Sequence, residues 1–298
     1  MCAKSFLSAF WRLRLKCFCL VLALVLVSDA FVYAVRSDSS SSAVSEEVQT
    51  ESNWNIDRKI SSADGALQFR VDNVVKMTRN EREVSFSSST VFYGDLVFDF
   101  VGDNGEIVVF SFTDDKFALI DPIRRMRAEL NLDEVERFIA RIDPILRDKD
   151  DRFVNFMLQP KFETSKKEDE FFFQSKFIDY RVATRSFEDD QIANAYFQFS
   201  NALGKLNVYM NPGTITPLAR IEVNQKLAES SRFPEKIITD VYPKGKNIFS
   251  KTVRIVNEST LARRLSERDR NRINRALHFY AQFPLVSFQT YFEKTSER

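Results

Sequence analysis

Cysteine is missing from almost all of this chain. The only three, Cys2, Cys17 and Cys19, fall in the first 19 of 298 residues. The remainder therefore has no disulfide framework, no thiolate nucleophile and no cysteine metal site. Histidine is nearly absent too. His278 stands alone, which excludes a multi-histidine zinc site and leaves one candidate for histidine-based catalysis. No serine in a G-x-S-x-G setting accompanies it. Glycine is scarce, at 7 copies, and no cofactor motif is present. Excess charge is lacking as well. The formal net charge is +1, and beyond the first 34 residues 39 bases face 41 acids. A near-neutral body gives no electrostatic argument for nucleic acid as a partner.

What is abundant is phenylalanine, at 29 copies, in a chain with an ordinary globular balance of 44% hydrophobic and 29% charged residues. Before the body comes an address. Lys4, Arg12, Arg14 and Lys16 precede an uninterrupted apolar run of 11 residues from Cys17 to Val27. Small residues follow at Ser28, Ala30 and Ala34. Residues 1–34 read as a secretory signal peptide, because so short a run suits an h-region better than a span. The alternative is an uncleaved membrane anchor over 17–35, with Asp29 reaching the interface. Either way the body is exported to the periplasm or cell envelope, with the basic end inside. No cysteine follows the run, so a bacterial lipoprotein anchor is excluded. Residues 35–57 are serine-rich and aperiodic, a flexible tether. Residues 58–298 are expected to form one domain.

Within that domain, Thr90 to Pro122 carries the clearest pattern. TVFYGDLVFDF alternates as one strand, with Phe92, Gly94, Leu96, Phe98 and Phe100 on one face and Tyr93, Asp95, Val97 and Asp99 on the other. Gly102–Gly105 predicts a turn, Ile107–Phe112 a second strand and Phe117–Ile120 a third. Leu67–Met77, Val84–Phe86 and Ile123–Leu130 read as further strands. The period changes at Asn131, which with Glu134 predicts a capping box ahead of a helix that Pro144 kinks or ends. Phe171–Ile178 and Tyr180–Phe187 predict more strands, with Phe171, Phe173 and Phe177 on one face. Asp189 caps a helix to Met210. Thr216 caps another, with Pro217 in its first position, ending near Ser230. Lys236–Tyr242 and Ile248–Val256 form a strand pair, and Ser266 with Asp269 opens a last helix that reaches Pro284. The fold class is α+β: a curved, half-barrel-like antiparallel sheet with helices packed on one face.

Site candidates are few. Asp95 and Asp99, about 13 Å apart at roughly 3.3 Å per residue, are too distant to share a proton and read as solvent-facing charges. Acidic clusters at 114–115, 168–170 and 188–190 suit turns and caps, or less commonly calcium. His278 suits a helix C-terminus or a catalytic base. Arg268, Arg272 and Arg275 share a helix face that either binds an anionic lipid headgroup or is merely solvated. Phe92, Phe98, Phe100, Phe171, Phe173 and Phe177 either line a cavity for an apolar ligand or fill the core. No metal or cofactor is expected.

The layout of GDLVFDFVGDNGEIVVFSFTDDKFALIDP followed by an amphipathic helix resembles the LolA/LolB-type half-barrels over about residues 66–182. That resemblance implies an envelope protein whose curved sheet and helical lid hold a lipid or lipoprotein acyl chain. The helical part from Asp189 onward departs from the family pattern. A family sharing only this architecture is the alternative. The functional expectation is non-catalytic binding of an apolar or lipid-like ligand, or of a protein partner, in the sheet's concave face. An exported hydrolase using carboxylates, or a purely structural envelope protein, are the rival readings.

Overall fold

The computed structural model describes Trp54 and residues 67–79, 82–102, 105–148, 151–211, 217–246 and 252–296. The signal or anchor segment, and the tether apart from Trp54, lie outside the described residues. No helix among the described residues is long and apolar enough to cross a membrane.

In chain order the elements are β1 (Gln68–Arg79), β2 (Arg82–Tyr93), β3 (Leu96–Val101), β4 (Ile107–Ser111), β5 (Lys116–Asp121), β6 (Met126–Asn131), α1 (Leu132–Arg147), α2 (Arg152–Leu158), β7 (Glu163–Lys167), β8 (Glu170–Gln174), β9 (Ile178–Ser186), α3 (Asp190–Met210), α4 (Leu218–Glu229), β10 (Arg232–Val241), β11 (Val253–Ala262), α5 (Glu267–Gln282) and α6 (Phe288–Ser296). Among the described residues eleven strands join one curved antiparallel sheet in the order β6-β5-β4-β3-β2-β1-β11-β10-β9-β8-β7. It does not close, because β6 and β7 are its edges. The class is α+β, as the alternating aromatic strands and helical stripes require.

One sequence expectation changes the geometry of everything built on it. TVFYGDLVFDF is not a single strand. It turns at Gly94, whose φ of 62° suits the first central position of a type II′ hairpin. Phe92 then pairs with Val97, and Val91 with Phe98. Cross-strand partners share a face, so Phe92 lies on one side of the sheet and Phe98 and Phe100 on the other. Gly105 has a different constraint. A Cβ there would stand 1.9 Å from the Val101 carbonyl oxygen, so only glycine fits the β3–β4 turn.

Both faces of β3–β5 are covered. Phe92, Val97, Val108, Phe110, Phe117 and Leu119 pack under α1–α4 and α6 in the main core. Val91, Phe98, Phe100, Val109 and Ile120 pack with Ile273, Ala276 and Tyr280 of α5 in a second core. The main helical layer thus takes one face, as expected, and α5 is an addition on the other. We call the α3 side the inner face and the α5 side the outer face.

Several boundaries shift. Asn131 occupies the N-cap of α1, but its side chain makes no cap hydrogen bond, so the capping box expected with Glu134 does not form. Pro144 does not end α1, which runs on to Arg147. The donor that proline lacks is lost only in the last turn, and Arg147 Nε to Asp143 Oδ1 at 2.7 Å spans it. Pro217 sits at the N-cap of α4 rather than in its first turn, and Thr216 lies outside the described residues. β11 continues to Ala262, beyond the expected end at Val256. Phe177 follows β8 instead of belonging to it.

Candidate functional site

α5 and the outer face of β1 and β2 enclose the site. Ser266 caps α5, accepting from Asp269 N at 3.2 Å, while Asp269 Oδ2 accepts from Ser266 N at 2.8 Å. This is the capping box that the sequence predicts. It turns Asp269 inward, where it accepts from Arg70 Nη1 of β1 at 2.8 Å. Burial opposes the charge on Asp269, but the Ser266 hydrogen bonds and the Arg70 guanidinium outweigh it and hold the carboxyl below its usual range. Arg70 Nε also donates to Asp72 at 2.9 Å, and Asp72 accepts from Ser89 Oγ at 2.8 Å.

These contacts border a pocket of about 320 Å³ whose lining includes Arg70, Ser87, Ser89, Phe100, Arg268 and Arg272. Asp72 and Asp269 also line it, so three guanidiniums and two carboxylates share its wall. The Arg272 guanidinium lies 4.1 Å from the centre of the Phe100 ring, a cation–π contact that fixes its head over the sheet. Val74, an exposed valine, gives the rim an apolar edge. Of the arginines singled out in the sequence, Arg268 and Arg272 line the pocket. Arg275 is exposed and does not. Arg70 and the serines of β2 escape sequence reasoning, because nothing local marks β1 and β2 as the strands beneath α5.

The six phenylalanines are dispersed. Phe92 stacks on Phe69 at 4.0 Å and meets Phe199 of α3 edge-on. Phe171 and Phe173 are buried in the same inner core. Phe177 packs against Phe153 and Phe156 of α2. Phe98 and Phe100 belong to the outer core, and of the six only Phe100 borders the pocket. His278 is exposed. The acidic clusters take turn and cap roles. Asp114 accepts from Trp54 Nε1 at 2.7 Å, and Asp189 caps α3.

Asp99 corrects the sequence reading. It is 1% exposed, on the inner face, and accepts from Thr90 Oγ1 at 2.7 Å. Burial pushes its carboxyl up to about 7, against the Thr90 hydrogen bond and the attraction of Arg272. The misplaced strand boundary and the helices on both faces explain the error. Asp95 is half-buried in the hairpin, where its carboxylate accepts from Ser111 Oγ and Thr113 N.

No family model matches the chain, and no curated protein matches it either. Among solved structures, PNGF-II is similar at 8% identity and a TM-score of 0.29, over 78% of this chain and 33% of that one, so the chain spans about a third of that protein's length. A DUF1329 family protein from Desulfovibrio piger is similar at 7% identity and a TM-score of 0.29, over 70% and 92% of the two chains. The LolA superfamily protein NE2245 from Nitrosomonas europaea is similar at 10% identity and a TM-score of 0.25, over 71% and 94%.

Proposed function

We propose that this chain is an exported, non-catalytic envelope protein that binds a lipid-like molecule by its anionic headgroup in the pocket beneath α5. The observation that carries this reading is the convergence of Arg268 and Arg272 from α5 with Arg70 from β1 and the Ser87 and Ser89 hydroxyls from β2. Guanidiniums and hydroxyls are the donors that phosphate oxygens accept from. The volume lies at the lower end of ligand pockets, about 300–1,000 Å³, which suits a headgroup more than a whole lipid. Phe100 and Val74 offer apolar contact to the first carbons of a chain. Most of the aromatic side chains are spent on the core, so the acyl part would lie along the rim.

A binding role fits the side chains better than a hydrolytic one. Both oxygens of Asp72 are engaged, by Arg70 and by Ser89, and Asp269 is committed to the cap and to Arg70. Titration with dihexanoyl phosphatidylglycerol in a calorimeter tests the reading. Saturable binding that weakens with salt is expected, and Arg268→Gln with Arg272→Gln should lower the affinity by about tenfold or more. No heat from the wild type, or equal affinity in the double variant, would overturn it.

A further inference from the structure

The inner face holds a charge that the outer pocket does not use. Arg220 on α4 is only 8% exposed. A guanidinium stays protonated at any ordinary pH, so burial calls for an acid beside it. Among the described residues Arg220 meets none. Its electrostatic neighbours are the hydroxyls of Tyr196 on α3 and Tyr180 on β9. Neither phenol supplies the missing negative charge. Burial raises Tyr180 to about 12 and pushes Tyr196 up as well, so both stay neutral despite the nearby cation.

Polar atoms on the same face also lack hydrogen-bond partners. Tyr196 OH is buried with no hydrogen bond, and so is Thr239 Oγ1. Thr239 of β10 stands directly opposite Tyr180 of β9 in the ladder, so the two share the inner face. Asn224 lies one turn along α4 from Arg220. Its nitrogen donates to Ser200 and Asn201, while its oxygen, an acceptor, is also unpaired. The walls are otherwise apolar: Phe187, Phe197 and Phe233 all pack against Tyr196. A lone cation and two unpaired hydroxyls in an aromatic interior are costly unless a further group satisfies them.

We propose that Arg220, with the hydroxyls of Tyr196 and Thr239, forms an interior site for the carboxylate of an apolar acid, a fatty acid being the simplest such molecule. The planar guanidinium matches the two oxygens of a carboxylate, and both hydroxyls can donate to them. One cation is balanced by a monoanion, so a carboxylate suits it better than a phosphate dianion. The aromatic walls would receive the hydrocarbon part. The site stands on the face of the sheet opposite the α5 pocket and does not depend on it.

Sodium laurate below its micellar concentration is the probe, with dodecanol as the neutral control. One-to-one binding of laurate to the full chain is expected, with a rise in Tm, and dodecanol should bind more weakly. Arg220→Met should weaken laurate by about tenfold or more and raise the Tm of the ligand-free protein, since the uncompensated charge is gone. Tyr196→Phe should weaken laurate several-fold without lowering the Tm, and it carries the test if Arg220→Met does not fold. Arg268→Gln with Arg272→Gln should leave laurate affinity unchanged, which separates this site from the outer pocket. The proposal fails if laurate does not bind, if dodecanol binds equally well, if laurate affinity survives Arg220→Met or Tyr196→Phe, or if the outer double variant abolishes it.

Discussion

Asp99 is the residue whose environment most directly sets a solution property. Its carboxyl rises from 3.8 to about 7 in the fold, chiefly through burial. Between those values the folded chain keeps the proton that the unfolded chain releases. Its contribution to stability is therefore complete below about pH 4 and is lost as the pH climbs to about 7, a change on the order of 4 kcal/mol. Asp99→Asn, which still accepts from Thr90, should match the wild type near pH 4 and exceed it by a few kcal/mol at pH 8. Denaturant unfolding at the two pH values measures this. Equal wild-type stability at both, with all else constant, would show the carboxyl to be unperturbed. Sequence spacing separates Asp95 from Asp99 but cannot bury either. Burial depends on Gly94 turning the chain and on α3 arriving from about a hundred residues downstream.

Among the elements, α5 ties the outer pocket together through its first turn. Ser266→Ala removes one cap acceptor and should cost about 1 kcal/mol. Asp269→Ala should cost more, about 3 kcal/mol, because Arg70 then loses a buried carboxylate partner as well. Thermal melts of the two variants check the order, and equal losses would mean that the Arg70 contact contributes nothing. The capping box was legible because Ser266 and Asp269 are three residues apart and both act locally. The same spacing at Asn131 and Glu134 gave no cap, since Asn131 still belongs to β6 and its side chain makes no cap bond. α2 and α6 were not foreseen. Arg152–Leu158 is too short to show a helical period, and Phe288–Ser296 follows a proline that reads as an end.

At the scale of the whole molecule, the chain clasps one edge of its sheet. After α5 on the outer face, residues 284–286 run beside β6. Arg127 N donates to Pro284 O at 3.1 Å, and Val286 N donates to Arg127 O at 2.9 Å. α6 then places Tyr291 in the inner core, with its hydroxyl on Glu106 at 2.8 Å. Glu129 of β6 joins the parts, taking Lys116 Nζ at 2.6 Å and Tyr280 OH at 2.7 Å, with Arg127 beside it. Ending the chain after Phe283 should uncover the β6 edge and the Tyr291 cavity. Lower stability and self-association by size-exclusion chromatography are expected; a stable monomer would contradict this role. The other edge, β7, is exposed throughout and carries Glu163, Lys166 and Lys167, a charged border of the kind that discourages strand addition. The strand order is a long-range property, with β1 beside β11, and no window of sequence contains it. The antiparallel α+β class, in contrast, was legible from alternation and helical stripes alone. So were Arg268 and Arg272 on α5, two of the three pocket arginines, but not the strands that complete the pocket.

If the arginines beneath α5 receive an anionic headgroup, their side chains must sense it. Side-chain Nε resonances of arginine report it directly, followed by NMR while dihexanoyl phosphatidylglycerol is added. Saturable shifts are expected for the signals of Arg70, Arg268 and Arg272, assigned by substitution, with little change for Arg275. Shifts spread evenly over exposed arginines, or none at the three pocket residues, would contradict it.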